Sequence, residues 1–144
     1  MKRYLTIAVF LTAILLPPSF CQEIEEPNEK AAKYHKALQR RPSGDYLFER
    51  FFNAWLDTGT INGLDGFLKQ TASNESAQTA DRLLYAFFLT KQGRELEALG
   101  AFKKALEGDP ENAEAWAESA IAQARMLDFD QALASAEKAL ENEP

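Results

Sequence analysis

The chain has 144 residues, of which 46% are hydrophobic and 26% are charged, and its formal net charge is −6 at pH 7. This composition predicts one domain with a packed core, and the acidic balance argues against nucleic-acid binding, because phosphate contacts need Lys and Arg concentrated on one face. Cys21 is the single cysteine, which excludes a disulfide within the chain and a cysteine-based metal site.

The amino-terminal residues have the pattern of a secretory signal peptide. Lys2 and Arg3 are followed by an uncharged run from Tyr4 to Leu16, and Pro17-Pro18 ends this run. The run has thirteen residues, fewer than the about 20 that a helix needs to cross a bilayer, and it has the length of a signal peptide's apolar region. We therefore expect export to the periplasm or to the extracellular space.

The residues after this run indicate where the signal is removed. Ser19 and Cys21 place small side chains three residues and one residue before a cut after Cys21, so we expect the mature chain to begin at Gln22. The alternative is a lipid anchor on Cys21, which is disfavoured because bacterial lipoprotein signals carry a small residue where Phe20 stands. A retained signal anchor is a third alternative.

A period of 34 residues runs through the remainder of the chain. Pro42, Pro110 and Pro144 lie at multiples of this step, and Ser76 occupies the missing position. Three further series keep the same step, namely Ala37, Thr71, Ala105 and Ala139; Tyr34, Leu68, Phe102 and Ala136; and Gly59 and Gly93, with Leu127 at the next position. A period of this length with helical patterning is the signature of tetratricopeptide repeats.

The carboxyl-terminal two-thirds of the chain resembles the tetratricopeptide repeat (TPR) family. In the stretch 79–112 the matching residues are Ala86, Gly93, Ala98, Phe102, Ala105 and Pro110, and in the stretch 113–144 they are Trp116, Ala120, Ala132, Ala139 and Pro144. The resemblance implies an all-α fold, an α-α superhelix in which helical hairpins stack into a right-handed solenoid. It divides the chain into a signal peptide (1–21), a flexible acidic segment (22–27), a half-repeat helix (28–44), a divergent hairpin (45–78) and two repeats (79–112 and 113–144).

Seven helices are predicted, at 28–40, 45–57, 61–72, 78–91, 95–107, 112–126 and 130–141. Ala98, Phe102 and Ala105 form one apolar helical stripe, in which the alanines allow close helix approach and Phe102 fills the space between repeats. We expect Gly93 to adopt the positive φ that ends a helix and Asp130 to cap the last helix.

The sequence does not favour catalysis. His35 is the only histidine and has no acidic neighbour on its predicted helix, so we expect a surface histidine. No Ser-His-Asp set, HExxH pair or phosphate-binding glycine loop is present in the sequence. We therefore predict a non-enzymatic protein with no catalytic residue, no cofactor and no metal site.

Five aromatic residues lie close together in the divergent hairpin, and they are Tyr46, Phe48, Phe51, Phe52 and Trp55. The last four share one helical stripe, and Tyr46 lies off its centre. Such a stripe is more often core than ligand site, so we expect these four side chains to be buried.

The TPR resemblance implies that the first helix of each repeat lines a concave groove. The candidate groove residues are Tyr46, Leu83, Phe87 and Ile121 for apolar contact and Glu49, Asn53, Lys91 and Arg125 for polar contact. Glu49, Glu114 and Glu118 stand where some members of the family use Lys or Arg to hold a peptide's terminal carboxylate. That ligand class is therefore disfavoured.

The expected function is binding of a protein or peptide of unknown identity, as an interaction or scaffold module of the bacterial cell envelope. One alternative is the amino-terminal TPR portion of a larger envelope enzyme, and the other is a structural oligomerisation element. The latter follows from the last helix, which is expected to direct Phe129, Ala132 and Ala139 toward the preceding helix. Its outer side carries Leu133, Ala136 and Leu140, and an exposed apolar strip of this kind predicts a homodimer through the C-terminal helix.

Overall fold

A computed structural model describes residues 25–143, and this part of the chain is all-helical. It contains seven α-helices and no β-strand, and the helices are α1 (Glu29–Arg40), α2 (Tyr46–Leu56), α3 (Ile61–Ser73), α4 (Thr79–Lys91), α5 (Glu95–Gly108), α6 (Ala113–Arg125) and α7 (Phe129–Glu141). The predicted all-α class and the seven predicted helices are confirmed, and no helix end differs by more than one residue from its prediction. The predicted signal peptide lies outside the described residues.

Polar side chains just before the helices explain where most of them begin. Asn28, Asp45, Thr60, Asn112 and Asp128 each accept a hydrogen bond from a backbone N–H in the first turn that follows. These bonds satisfy N–H groups that have no partner within the helix. The prediction that Asp130 caps the last helix is wrong, because α7 begins one residue earlier than expected and Asp128 is the capping residue.

The hydrophobic core is formed by side chains from α1 to α6. The aromatic stripe of α2, formed by Phe48, Phe51, Phe52 and Trp55, is buried as predicted, whereas Tyr46 is exposed. Edge-on and tilted ring contacts join this stripe to α3 and α4, and the ring centroids of Trp55 and Phe67 lie 5.1 Å apart. The cluster therefore has a packing role.

Small residues allow α5 to pack closely on α4. Ala98, Phe102 and Ala105 on α5 and Ala86 on α4 are fully buried. The ring of Phe102 lies 5.8 Å from the ring of Phe87 in an edge-on contact. The predicted apolar stripe of α5 thus faces the core.

The first half of the molecule is less regular than the second. Helices adjacent in sequence pack closely in most cases, but α2 and α3 do not belong to the closely packed pairs. Large rings from α2 and α3 fill the space between their backbones. Helix α1 also contacts α4, where the Gln39 side-chain amide donates to Asp81 at 2.9 Å.

The two glycines of the 34-residue period have different structural roles. Gly93 has φ of 70°, as expected for the end of α4, and Leu127 has φ of 64° at the equivalent end of α6. Gly59 instead lies against the indole of Trp55, where a Cβ atom would approach Nε1 to 2.6 Å. Leu127, in contrast to Gly93, carries a Cβ atom in the left-handed conformation, which is unfavourable for residues other than glycine.

Replacing Leu127 by glycine is expected to stabilise the fold by about 0.5–1 kcal/mol. The left-handed conformation costs a non-glycine residue about 1–2 kcal/mol, and the larger unfolded-state entropy of glycine offsets part of this gain. Little packing is lost, since Leu127 is 73% exposed. Urea denaturation would measure the change. The neighbouring Met126→Gly is the control: Met126 has φ of −84°, so the same replacement there should destabilise, and equal effects at both sites would contradict this explanation.

Candidate functional site

Two of the predicted groove residues belong to the core. Leu83 is fully buried and Phe87 is 4% exposed. The ring of Phe87 contacts the rings of Phe48 and Phe102. The prediction that Leu83 and Phe87 line a groove is therefore wrong for these two residues, because helices and rings cover the side of α4 on which they lie.

Three other predicted groove residues do reach the surface. Tyr46 is 69% exposed, Ile121 is 43% exposed, and Asn53 is exposed on the same helix as Tyr46. These side chains are available for contact with a partner.

The charged residues among the predicted groove residues make ion pairs between helices. Lys91 Nζ lies 2.6 Å from a carboxylate oxygen of Glu49 and 4.8 Å from the centre of the Phe52 ring. Arg125 pairs with Glu95 at 3.1 Å. Because these groups are partly exposed, each pair contributes little to stability. Their charges remain accessible to a ligand.

Arg50 was not predicted from the sequence as a site residue. Its guanidinium donates to the hydroxyl groups of Tyr34 and Tyr46, with the shortest distance to each at 2.6 Å. It also lies over both rings, at 5.3 and 5.5 Å from their centres. This contact holds the Tyr46 ring at the surface. In the sequence, the contact was indicated only by the spacing of four residues between Tyr46 and Arg50.

A cleft lies where the α1–α2 loop meets the first turn of α6. The Gly44 N–H donates to Glu114 Oε1 at 2.9 Å, which joins two segments far apart in sequence. The cleft has a volume of about 490 Å³, and its lining residues are Arg41, Pro42, Ser43, Asp45, Tyr46, Leu47 and Glu114. It therefore combines an aromatic ring, an apolar side chain and two carboxylates.

Two carboxylates of α6 are partly removed from water. Burial raises the pKa of Glu114, an effect partly countered by the Gly44 N–H, and burial also raises the pKa of Glu118. Within the described residues, neither carboxylate takes part in an ion pair. A cation bound beside Glu114 would offset the desolvation of its charged form.

His35 is not the surface histidine that we expected. Its ring is half-buried between Phe51 and Phe67, at centroid distances of 5.6 and 5.2 Å. Nε2 is buried with no hydrogen-bond partner among the described residues, and burial lowers the pKa of the imidazole. A neutral histidine packed among aromatic rings fits a structural role.

The residues that carry the TPR resemblance lie at helix contacts and turns. Ala86, Ala98, Phe102 and Ala105 are fully buried, Ala120 is buried, Trp116, Ala132 and Ala139 are half-buried, and Gly93 and Pro110 are exposed at turns. The indole N–H of Trp116 donates to the Pro110 carbonyl at 2.8 Å.

The apolar outer side of α7 is exposed. Leu133 and Leu140 are 63% and 71% exposed, and Ala136 is half-buried. Phe129 is 65% exposed, so the prediction that it faces the preceding helix is wrong. Since α7 starts at Phe129, this residue lies one turn before Leu133 on the same side of the helix.

Residues 25–143 contain no group of three or more His, Cys, Asp or Glu side chains arranged to hold a metal ion. None of the helices in this part of the chain has the length and apolar character needed to span a bilayer. The sequence matches no protein-family model, and comparison with curated proteins also gives no match.

Proposed function

We propose that this protein is a non-enzymatic interaction module, a TPR-type scaffold of the bacterial cell envelope. Support comes from the 34-residue period and from helices that follow this period along the chain. The signal-peptide pattern of residues 1–21 supports the location. The observation that carries the binding role is the cleft between the α1–α2 loop and α6.

The chemistry of the cleft favours a peptide segment with a Lys or Arg side chain. Asp45 and Glu114 contribute two carboxylates to the lining, against the single guanidinium of Arg41. The exposed Tyr46 ring offers a surface on which a cation can stack. Glu114 is partly desolvated, so pairing with a bound cation would stabilise its ionised form.

A test begins with the chain as bait in an extract of the bacterial envelope, followed by affinity measurements with the purified partner. Glu114→Gln keeps the acceptor for the Gly44 N–H but removes the charge, and Tyr46→Ala removes the ring. Each variant is expected to raise the Kd about tenfold, which corresponds to about 1.4 kcal/mol. The matched control is Glu75→Gln in the exposed α3–α4 loop, which should leave the Kd unchanged.

An unchanged Kd in both cleft variants, with the fold intact by circular dichroism, would show that the partner binds elsewhere. A longer reading frame that joins this chain to a catalytic domain would support the alternative of a larger envelope enzyme.

A further inference from the structure

Helix α7 keeps its large apolar side chains out of the core. Phe129, Leu133 and Leu140 are all more than 60% exposed, and the buried residue of this helix is Ser135. Five of the ten exposed large hydrophobic residues in the described chain lie between Met126 and Leu140. Three of these five residues lie on α7, and Met126 and Leu127 lie just before it. Scattered apolar residues on a surface need no explanation, but a concentration in one short segment indicates an interaction site.

Four apolar residues on the outer side of α7, three of them exposed and one half-buried, form a regular seam. Phe129, Leu133, Ala136 and Leu140 follow one another at spacings of four, three and four residues. This is the spacing of the a and d positions at which one helix packs against another in a coiled coil. The seam, defined by these four residues, therefore has the geometry to accept a second helix.

One edge of the seam is negatively charged, and the other is formed by alanines. Asp130 and Glu137 lie at the flanking positions on one side, and both are exposed. Neither makes an ion pair within the described residues, and the lysine of this helix, Lys138, points away from the seam and pairs with Glu141 at 2.6 Å. The other flank consists of Ala132 and Ala139, which are half-buried.

From this seam and its acidic flank, we propose that α7 docks an amphipathic helix of a partner protein that carries Lys or Arg beside its apolar stripe. Apolar side chains of that helix would interlock with the seam, and its basic side chains would reach Asp130 and Glu137. None of the seam residues lines the cleft at the α1–α2 loop, so the two surfaces are distinct.

A second copy of this chain fits the seam less well. The flanking positions of α7 offer carboxylates and alanines, so two copies paired in either direction leave Asp130 and Glu137 without basic partners. The basic helix of the chain, α1, exposes Lys30, Lys33 and Lys36 but no large apolar side chain. Neither a two-fold dimer nor head-to-tail stacking on α1 therefore matches both the seam and its charge.

The test uses the full chain and two fluorescent two-heptad peptides with leucine at the a and d positions. One peptide carries Lys at the flanking e and g positions, and the other carries Glu there. We expect the Lys peptide to bind, with a Kd at least about tenfold lower than that of the Glu peptide and rising with salt. Leu133→Ser and the double variant Asp130→Asn/Glu137→Gln should each weaken Lys-peptide binding about tenfold.

Control variants separate this surface from others. Leu96→Ser removes an exposed leucine on α5 and should leave Lys-peptide binding unchanged. A loss of Lys-peptide binding in Glu114→Gln, with full binding in Leu133→Ser, would instead assign the peptide to the cleft and overturn the proposal. Since the seam residues are exposed, the variants should keep the helical circular dichroism of the parent.

Two further results would overturn the proposal. Equal binding of the two peptides would show that charge does not determine binding at the seam. A dimer in sedimentation equilibrium that Leu133→Ser dissociates would assign the seam to a second copy.

Discussion

Phe102→Ala is expected to lower the free energy of unfolding by about 3–5 kcal/mol. Phe102 is fully buried between α5 and α4, its ring lies edge-on to Phe87, and Ala98 and Ala105 on either side are also fully buried. The alanines that flank the ring are too small to fill the space that it leaves. A cavity should therefore remain, and its cost adds to the lost transfer free energy.

Urea denaturation followed by far-ultraviolet circular dichroism would measure this change. Leu96→Ala on the same helix is the control, since Leu96 is 73% exposed and its truncation should cost less than about 0.5 kcal/mol. Similar losses in the two variants would mean that α5 presents a different face to the core. The 34-residue register would then be wrong as well, because it assigns Ala98, Phe102 and Ala105 to the packed side of α5.

Helix positions could be predicted from the sequence because each signal is local. Asn112 before α6 and Gly93 after α4 act through bonds and dihedral angles within a few residues. The stripe of Ala98, Phe102 and Ala105 similarly reflects the period of one helix. Such signals depend little on the rest of the fold, and the ends predicted from them differ from the observed ends by no more than one residue.

The groove assignment of Leu83 and Phe87 failed because it relied on equivalence between repeats. Helix α4 receives contacts from α1, α3 and α5 and ring contacts from α2. A signal for this was present, since residues 83–89 are uniformly apolar. A helix that is apolar on every side is typically buried, and every residue of this segment except Tyr85 is buried. Leu83 and Phe87 were therefore not available for a groove.

Polar contacts between distant segments could not be predicted at all. Glu25, which the sequence assigns to a flexible acidic segment, accepts hydrogen bonds from the Thr60 backbone N–H and hydroxyl, both at 2.8 Å. Gly44 donates to Glu114 across 70 residues. Neither contact repeats with the helical or the 34-residue period, because each depends on a turn that occurs once. The cleft is formed by one of these contacts, which is why only part of its lining was predicted.

The prediction that His35 is a surface histidine also failed because of contacts between distant segments. Its exposure was judged from neighbours on α1, none of which is acidic. The rings that cover it belong to Phe51 of α2 and Phe67 of α3, so its burial depends on helices other than its own. The aromatic stripe of α2 predicts that Phe51 lies in the core, but it does not indicate which residue of α1 contacts Phe51.

Trp55→Ala is expected to cost about 3–5 kcal/mol of unfolding free energy. Trp55 is 1% exposed, and its ring contacts Phe51 at 6.3 Å and Phe67 at 5.1 Å between centroids. Its indole N–H donates to the Thr60 carbonyl at 3.0 Å, next to the start of α3. Since the backbones of α2 and α3 do not pack closely, this side chain supplies much of the contact between these two helices.

The chain provides a matched control in its second tryptophan. Trp116 is half-buried and also donates one hydrogen bond to a backbone carbonyl, that of Pro110. Trp116→Ala therefore removes the same atoms and the same kind of hydrogen bond, but from a site that water already reaches, so its cost should be smaller by about 1–2 kcal/mol. Denaturation of both variants, followed by circular dichroism, gives the comparison. If Trp55→Ala cost no more than Trp116→Ala, the aromatic stripe of α2 would not be core, and a ligand-binding role for that stripe would become the better interpretation.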